Sequence, residues 1–297
     1  MVGFSSRMVL VAAVSVLSLN GAEFTSVVER QKIQSPAILE ASGLAVSPTN
    51  SAFMWVVNDS GASPDIHLVG IDGSSRGCVR LQNCRNFDWE DLAGFTLDKK
   101  PYLMISDIGD NGAKRKSCML YVMREPTLPK TGKNLVVKAP PAWQIEFRYE
   151  GGPRDCEAVG VEVVMGKVIL ICKRTMPPVV YELPLRPPAK GGIQIARMVG
   201  KVSVNSPLGE LVPVSNQPTG LAISANGSHA AVVTYYGIFL YSRAPTESWS
   251  AAFARPYVSR MPHFLGQAES VAFTGDGSSI YAVSEGALSP IARFRRK

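Results

Sequence analysis

An all-β fold is predicted for this 297-residue chain by three observations. A short motif opening on an acidic or amide residue recurs five times; each copy begins a pair of apolar runs split by a turn signal; and helical periodicity is absent beyond the N-terminal apolar stretch. The copies are Glu40-Ala-Ser-Gly-Leu-Ala45, Asp88-Trp-Glu-Asp-Leu-Ala93, Asp155-Cys-Glu-Ala-Val-Gly160, Gln217-Pro-Thr-Gly-Leu-Ala222 and Gln267-Ala-Glu-Ser-Val-Ala272.

Each motif leads into small and branched apolar residues, the first strand of its unit. A second strand follows about a dozen residues later, at Phe53–Val57, Tyr102–Ile105, Lys167–Ile171, Ala230–Thr234 and Ser279–Val283. The turns between them are Ser47-Pro-Thr-Asn50, Asp98-Lys-Lys-Pro101, Met165-Gly166, Ala225-Asn-Gly227 and Gly275-Asp-Gly277, and an apolar run, a Gly/Asn/Pro turn and a second apolar run make a β-hairpin. Third strands are expected at Ile66–Ile71, Met119–Met123, Val179–Leu183 and Gly237–Tyr241, and Trp143–Tyr149 supplies a fourth.

The motif's fifth residue falls at Leu44, Leu92, Val159, Leu221 and Val271, at intervals of 48, 67, 62 and 50. Three to four strands in units of roughly 40–50 residues is the pattern of a β-propeller, with insertions in the two longer intervals. A β-sandwich can use the same short strands but has no reason to repeat one motif. Five blades are visible, and the long intervals leave room for a sixth. Val27 to Ile33 is expected to pair with the last blade and close the ring, covering an exposed sheet edge.

In a propeller the first strand of each blade lines the axis, antiparallel to the second, so the start of one lies beside the end of the other. Glu40 is then matched by Asp59 and Asp88 by Asp107, nineteen residues on; Asp155 by Lys173, Gln217 by Tyr235 and Gln267 by Glu285, eighteen on. The mouth is predicted to gather Glu40, Asp59, Asp88, Glu90, Asp107, Asp155, Glu157, Glu269 and Glu285, with Lys173 and Arg174 as counter-charges. So many carboxylates resist ionising together, and a hard cation or basic partners relieve them. Oxygen-only donors favour Ca²⁺ or Mg²⁺ over zinc or copper; the alternative has the acids capping turns around a solvated channel. The loop Ser106-Asp-Ile-Gly-Asp-Asn-Gly112 departs from the EF-hand pattern at its third and twelfth positions, yet offers Asp107, Asp110 and Asn111 as polar groups at the mouth.

Residues 1–22 read as a secretory signal, with Arg7 before an apolar run from Met8 to Leu19 and a small-residue exit at Asn20-Gly21-Ala22. That run is short for a membrane span, which needs about twenty residues. Residues 23–297 are expected to form one domain without a further span, secreted or periplasmic. Five cysteines fit that compartment: Cys78 can pair with Cys84 and Cys156 with Cys172, leaving Cys118, or all can remain buried thiols. The net charge is +7, and +6 without Arg7 (30 basic against 24 acidic residues); the basic residues are dispersed, which argues against nucleic acid as a partner. Gly73-Ser-Ser-Arg-Gly77 matches a hydrolase nucleophile elbow but sits in an all-β pattern and is expected to be a hairpin turn. His67, His229 and His263 lie outside the motifs, so no base for a serine triad is evident.

Asp88-Trp-Glu90, Asp155-Cys-Glu157, the Asp107 of Ile-Ser-Asp-Ile-Gly-Asp-Asn, Ser42-Gly-Leu and Asn58-Asp-Ser60 together resemble the repeat signature of exported phytase-like propellers, the "esterase-like activity of phytase" group, over most of the chain after residue 35. The resemblance implies calcium at the channel mouth, held by Asp59, Asp88, Glu90, Asp107, Asp155 and Glu157. In the true phytases it implies phosphomonoester hydrolysis by metal-held water, with Lys173 and Arg174 as the phosphate contacts here. The chain departs from that pattern in its single basic pair and in Gln217 and Tyr235 on the fourth blade. Lactonase-like propellers, with one central divalent ion, are a minor option. Two functions follow as expectations. One is an exported metal-binding propeller that holds a protein or glycan; the other is a calcium-dependent esterase or phosphoesterase acting on a small-molecule ester.

Overall fold

The computed structural model describes residues 23–25, 29–130, 134–206, 209 and 211–297; residues 1–22, expected to be a signal, and residues 26–28 lie outside them. After β1 (Glu29–Lys32), the first unit comprises β2 (Ala41–Val46), β3 (Phe53–Asn58), β4 (Asp65–Gly70) and β5 (Ser75–Leu81). The second begins with β6 (Trp89–Leu97), β7 (Lys100–Asp107) and β8 (Cys118–Arg124), followed by β9 (Leu135–Ala139) and β10 (Trp143–Tyr149). The third holds β11 (Cys156–Glu162), β12 (Lys167–Cys172), β13 (Val179–Pro184) and β14 (Gln194–Lys201). The fourth holds β15 (Pro218–Ile223), β16 (His229–Thr234), β17 (Ile238–Ser242) and β18 (Ser259–Met261), with a helix, α1 (Trp249–Ala254), before its last strand. The fifth holds β19 (Ala268–Phe273), β20 (Ser279–Ser284) and β21 (Pro290–Arg295).

The chain is thus all-β, built of antiparallel meanders whose first strands are the motif strands. β2 packs on β6, β6 on β11, β11 on β15, β15 on β19, and β19 back on β2, so the five motif strands close a ring. The apolar core is divided among the sheet interfaces: Trp55 and Leu68 meet Leu92 and Ile105, for example, and Ile169 and Val180 meet Val232 and Phe239. Strands covered on both faces need apolar side chains on both, which is why β3, β12 and β16 read as unbroken apolar runs. β1 pairs antiparallel with β21, and Phe24 bridges Arg296, so an N-terminal strand completes the last sheet as expected; of the expected segment Val27 to Ile33, residues 27–28 lie outside the described residues.

Three features depart from the sequence expectation. β9, from the long insert after β8, adds in parallel to β5 of the preceding unit. β10 and β14 pair in parallel, joining the second and third units into one eight-stranded sheet. The helix α1 is too short to give a periodic signal; its Ser248 cap accepts from the Ala251 amide at 3.2 Å, and Trp249, Ala252 and Phe253 face inward. Gly73-Ser-Ser-Arg-Gly77 is a turn entering β5, with Gly73 at φ +85° and Ser75 exposed, as expected. All five cysteines are free thiols; Cys156 and Cys172 nevertheless face each other across β11 and β12 in the predicted register, with Sγ atoms 3.2 Å apart.

Buried carboxylates tie neighbouring units together. Glu125 accepts from Trp55 Nε1 and from Thr49 Oγ1, both at 2.7 Å. Glu162 accepts from Arg243 Nη2 at 2.6 Å and Trp249 Nε1 at 2.9 Å, with both ion-pair side chains buried. Removing one partner of such a pair strands a charge away from water. Glu162→Ala is therefore expected to lower stability by about 3–5 kcal/mol. Glu162→Leu combined with Arg243→Met recovers much of that loss, as urea unfolding can establish.

Candidate functional site: an acidic mouth above a buried carboxylate

Every motif strand carries a β-bulge at the same place. Pairing with the second strand skips the motif's third residue, between Ala41 and Gly43, Trp89 and Asp91, Cys156 and Ala158, Pro218 and Gly220, and Ala268 and Ser270. A bulge leaves its extra residue unpaired and re-aims the side chain. The bulged residues are Ser42, Glu90, Glu157, Thr219 and Glu269. The two hydroxyls bind the next unit's backbone, Ser42 Oγ to Trp89 O at 2.7 Å and Thr219 Oγ1 to Ala268 O at 2.6 Å. The three glutamates remain as a buried acidic set at one end of the ring.

Beneath them lies Asp91, fully buried, at the motif's fourth position. Its Oδ1 accepts from Leu92 N at 2.8 Å and Ser270 Oγ at 2.7 Å; its Oδ2 accepts from Val159 N at 2.9 Å and Leu221 N at 3.1 Å. Ser270 Oγ in turn accepts from Leu44 N at 2.9 Å, so one carboxylate and one hydroxyl reach all five motif strands. Burial pushes the Asp91 pKa up to about 8 against the pull of these bonds. The other fourth-position residues are Gly43, Ala158, Gly220 and Ser270, small enough for the strands to converge. A Cβ on Gly43 would sit 2.9 Å from the Asp91 backbone.

Above the glutamates, the ends of the second strands add a further tier. An oxygen from each of Asp59, Asp88 and Glu90 lies within 4.8 Å of the other two, and the same holds for Glu90, Asp155 and Glu157. These groups differ in how they are neutralised. Lys173 Nζ lies 2.6 Å from Glu157 Oε1 and 2.5 Å from Oε2, and Arg174 Nε donates to Asp155 Oδ2 at 2.6 Å. Glu90 is 6% exposed, and no hydrogen bond or ion pair reaches its carboxylate among the described residues. No ion pair reaches the Asp88 carboxylate among the described residues either, although Arg115 pulls on Asp88 and Lys173 on Glu90 from farther away. Both acids abut Gly109, where any side chain would collide with Glu90 Oε1 and Asp88 Oδ2.

The electrostatics follow from burial. Burial, with repulsion from Asp59, raises Asp88 to about 6. Burial and then Glu157 hold Glu90 well above the carboxylate range. Glu157 is lifted to about 7 by burial although Lys173 pulls it down; burial also opposes the charge on Lys173, but Glu157 outweighs that and raises it. Glu269 rises to about 8 through burial and Glu157, and accepts from Tyr235 Oη at 3.4 Å.

Among the other acids singled out by sequence, Glu40 is exposed, and Asp107 accepts from Arg115 Nη1 at 2.8 Å and from the Phe87 and Asp88 amides. Glu285 is bonded to Gln267, and these three with Glu269 stand outside both three-carboxylate groups. Asp110 caps its own loop through Lys114 N and Arg115 N, and Asn111 accepts from Arg174. The predicted strand-end matching holds in Asp59 N to Glu40 O at 2.9 Å, Lys173 N to Asp155 O at 3.1 Å and Glu285 N to Gln267 O at 2.8 Å. His67 and His263 are buried, and burial lowers the pKa of each. Sequence reading missed Asp91, Gly109 and Arg115. The alternation of one aspartate with four small residues at the fourth position was the available signal for Asp91.

No family model matches the chain, and no curated protein matches it. Among the described residues no helix is long and apolar enough to cross a membrane. Among solved structures the chain is similar to Kuenenia stuttgartiensis hydrazine synthase, with 13% identity and a TM-score of 0.42, over 82% of this chain and 80% of that one.

Proposed function

We propose that this chain is an exported five-bladed β-propeller that binds a hard divalent cation, Ca²⁺ or Mg²⁺, at its acidic mouth and presents the loaded mouth to an extracytoplasmic protein or glycan. One observation carries the cation reading: the buried Glu90 carboxylate takes no hydrogen bond or ion pair among the described residues and lies against Asp88 over a residue with no side chain. A buried carboxylate is costly unless a cation or donors compensate it, and oxygen donors alone suit a hard ion. Asp59, Asp88 and Glu90 would hold the ion; Asp155 and Glu157 already have Arg174 and Lys173 and contribute less.

Hydrolysis of a phosphate or carboxylic ester is the second reading, favoured by Arg174, whose half-exposed side chain stands at the rim beside Asp155. A bound ion would supply an acidified water to such chemistry. Binding without turnover is the better account, because Lys173 and Arg174 are committed to carboxylates.

Thermal unfolding in chelator and then across a calcium titration tests the proposal. A ligand confined to the folded state stabilises by about 2.7 kcal/mol at a hundredfold excess over its Kd. A saturable rise is expected in the wild type and its loss in Asp88→Asn and Glu90→Gln. An unchanged midpoint in the wild type, or an equal rise in both variants, overturns the site. Ester and phosphoester turnover that requires calcium and fails in Arg174→Ala would instead favour the hydrolase.

A further inference from the structure

Four of the five units end their second strand on a side chain that accepts hydrogen bonds from backbone amides at the mouth. Asn58 Oδ1 accepts from the Leu39 and Glu40 amides at 3.0 and 3.2 Å, and Asp107 from the Phe87 and Asp88 amides at 3.3 and 3.2 Å. Ser284 Oγ accepts from Gln267 N at 3.2 Å, and Thr234 Oγ1 from the Tyr236 and Gly237 amides at 3.1 and 3.3 Å. Each of these residues pairs with the second residue of its motif, Ala41, Trp89, Ala268 and Pro218 respectively, so all four hold one position of the repeat. In the third unit that position is Cys172, opposite Cys156. A thiol is a weak acceptor, so this unit needs another clasp.

The two thiols stand where a covalent clasp fits. Lys173 N donates to Asp155 O at 3.1 Å, which makes Cys156 and Cys172 the adjacent pair without backbone hydrogen bonds between them. Such pairs hold their Cα atoms about 4.5 Å apart, inside the roughly 4.4–6.8 Å span of disulfides. The Sγ atoms are 3.2 Å apart, and both side chains are buried in a cluster with Tyr149, Val159, Leu170 and Tyr181. Cys118, the third buried thiol, turns its sulfur to Ile108 O at 3.9 Å. The groups of three metal-ligating side chains among the described residues contain carboxylates only, so a metal thiolate has no support. Burial, and then the Cys172 thiol, hold the Cys156 thiol well above its usual range. The thiolate is the reactive form, so the pair is inert once folded, and its oxidation belongs to the folding chain.

We propose that Cys156 and Cys172 are joined by a disulfide, which gives the third unit the clasp that the other four build from hydrogen bonds. One cysteine thiolate attacks a disulfide, of low molecular weight or held by an oxidoreductase, and expels one thiolate. The second cysteine then attacks the protein sulfur of the mixed disulfide and expels the other. The two protein thiols lose two protons and two electrons, and the oxidant's disulfide becomes two thiols. Supply of that oxidant in the cell rests on the chain being exported, whereas glutathione disulfide supplies it in vitro. The bond pins the segments that carry Asp155 with Arg174 and Glu157 with Lys173, and it does not depend on a cation. The wild type, reduced in denaturant and refolded in mixed reduced and oxidised glutathione, is expected to retain three thiols open to alkylation in denaturant, those of Cys78, Cys84 and Cys118. A tryptic map without reductant should join residues 155–167 to residues 168–173. Cleaving the bond with reductant should lower the unfolding midpoint by on the order of 5 °C, and Cys172→Ser should not respond. Cys118→Ser should keep both the cross-link and the response, which preserves the test if Cys172→Ser does not fold. Five alkylated thiols in the refolded wild type, Cys118 in the cross-link in place of either cysteine, or a midpoint that reductant leaves unchanged overturns the proposal.

Discussion

Replacing Asp91 with alanine is expected to cost more stability than any other single change at the mouth. Four donors converge on this carboxylate, three of them backbone amides of the second, third and fourth motif strands. Each donor left without a partner in a buried position costs about 1–3 kcal/mol, so the total exceeds about 4 kcal/mol if relaxation rescues none of them. The net stability of a domain is only about 5–15 kcal/mol. Asp91→Asn is nearly as damaging, because its amide group turns two hydrogens toward groups that also donate. Ser270→Ala removes one donor and the bridge to Leu44 N, and is expected to cost about 1–3 kcal/mol. Urea unfolding of the three variants ranks them; a loss below about 1 kcal/mol for Asp91→Ala would mean that the ring closes without its knot.

Why that residue escaped sequence reading is instructive. The motif advertises acids at its first and third positions, and a fourth-position aspartate beside Glu90 looks like one more of them. Its meaning depends on four residues far away in sequence, Gly43, Ala158, Gly220 and Ser270, whose small size leaves the space it fills. The hairpins, by contrast, were legible because each is local: β2 with β3 and β11 with β12 announce themselves by apolar runs and a turn. The eighteen- to nineteen-residue offset even fixed Cys156 opposite Cys172 and put Lys173 and Arg174 beside their carboxylates. The parallel pairings of β9 with β5 and β10 with β14 have no connecting turn to signal them, since they join strands distant in the chain. The bulges were invisible for a related reason. A bulge is a property of two strands in register, and the motif alone shows only one of them.

The mouth makes a prediction of opposite sign to the knot: with chelator present, Glu90→Gln should stabilise the protein while abolishing its response to calcium. Burial pushes Asp88, Glu157, Glu269 and Asp91 up to about 6, 7, 8 and 8 in the folded chain, and Glu90 is raised as well. In the unfolded chain carboxylates titrate near about 4. Between those values the folded state binds more protons than the unfolded state, so stability falls as the pH rises from about 5 to 8. Each pKa unit of separation is worth about 1.4 kcal/mol; coupling among the acids reduces the sum, leaving a loss on the order of 3 kcal/mol. Glu90→Gln removes the buried carboxylate without a donor and should flatten that slope. Calcium should reverse it, because binding requires ionised carboxylates and releases the protons they hold. Unfolding midpoints at pH 5, 6, 7 and 8, with chelator and with saturating calcium, give both slopes. A flat profile in chelator would mean that water already solvates the mouth, leaving no strain for a cation to relieve. A falling profile that calcium leaves unchanged would show carboxylates under strain that a basic partner, rather than a metal, is there to meet.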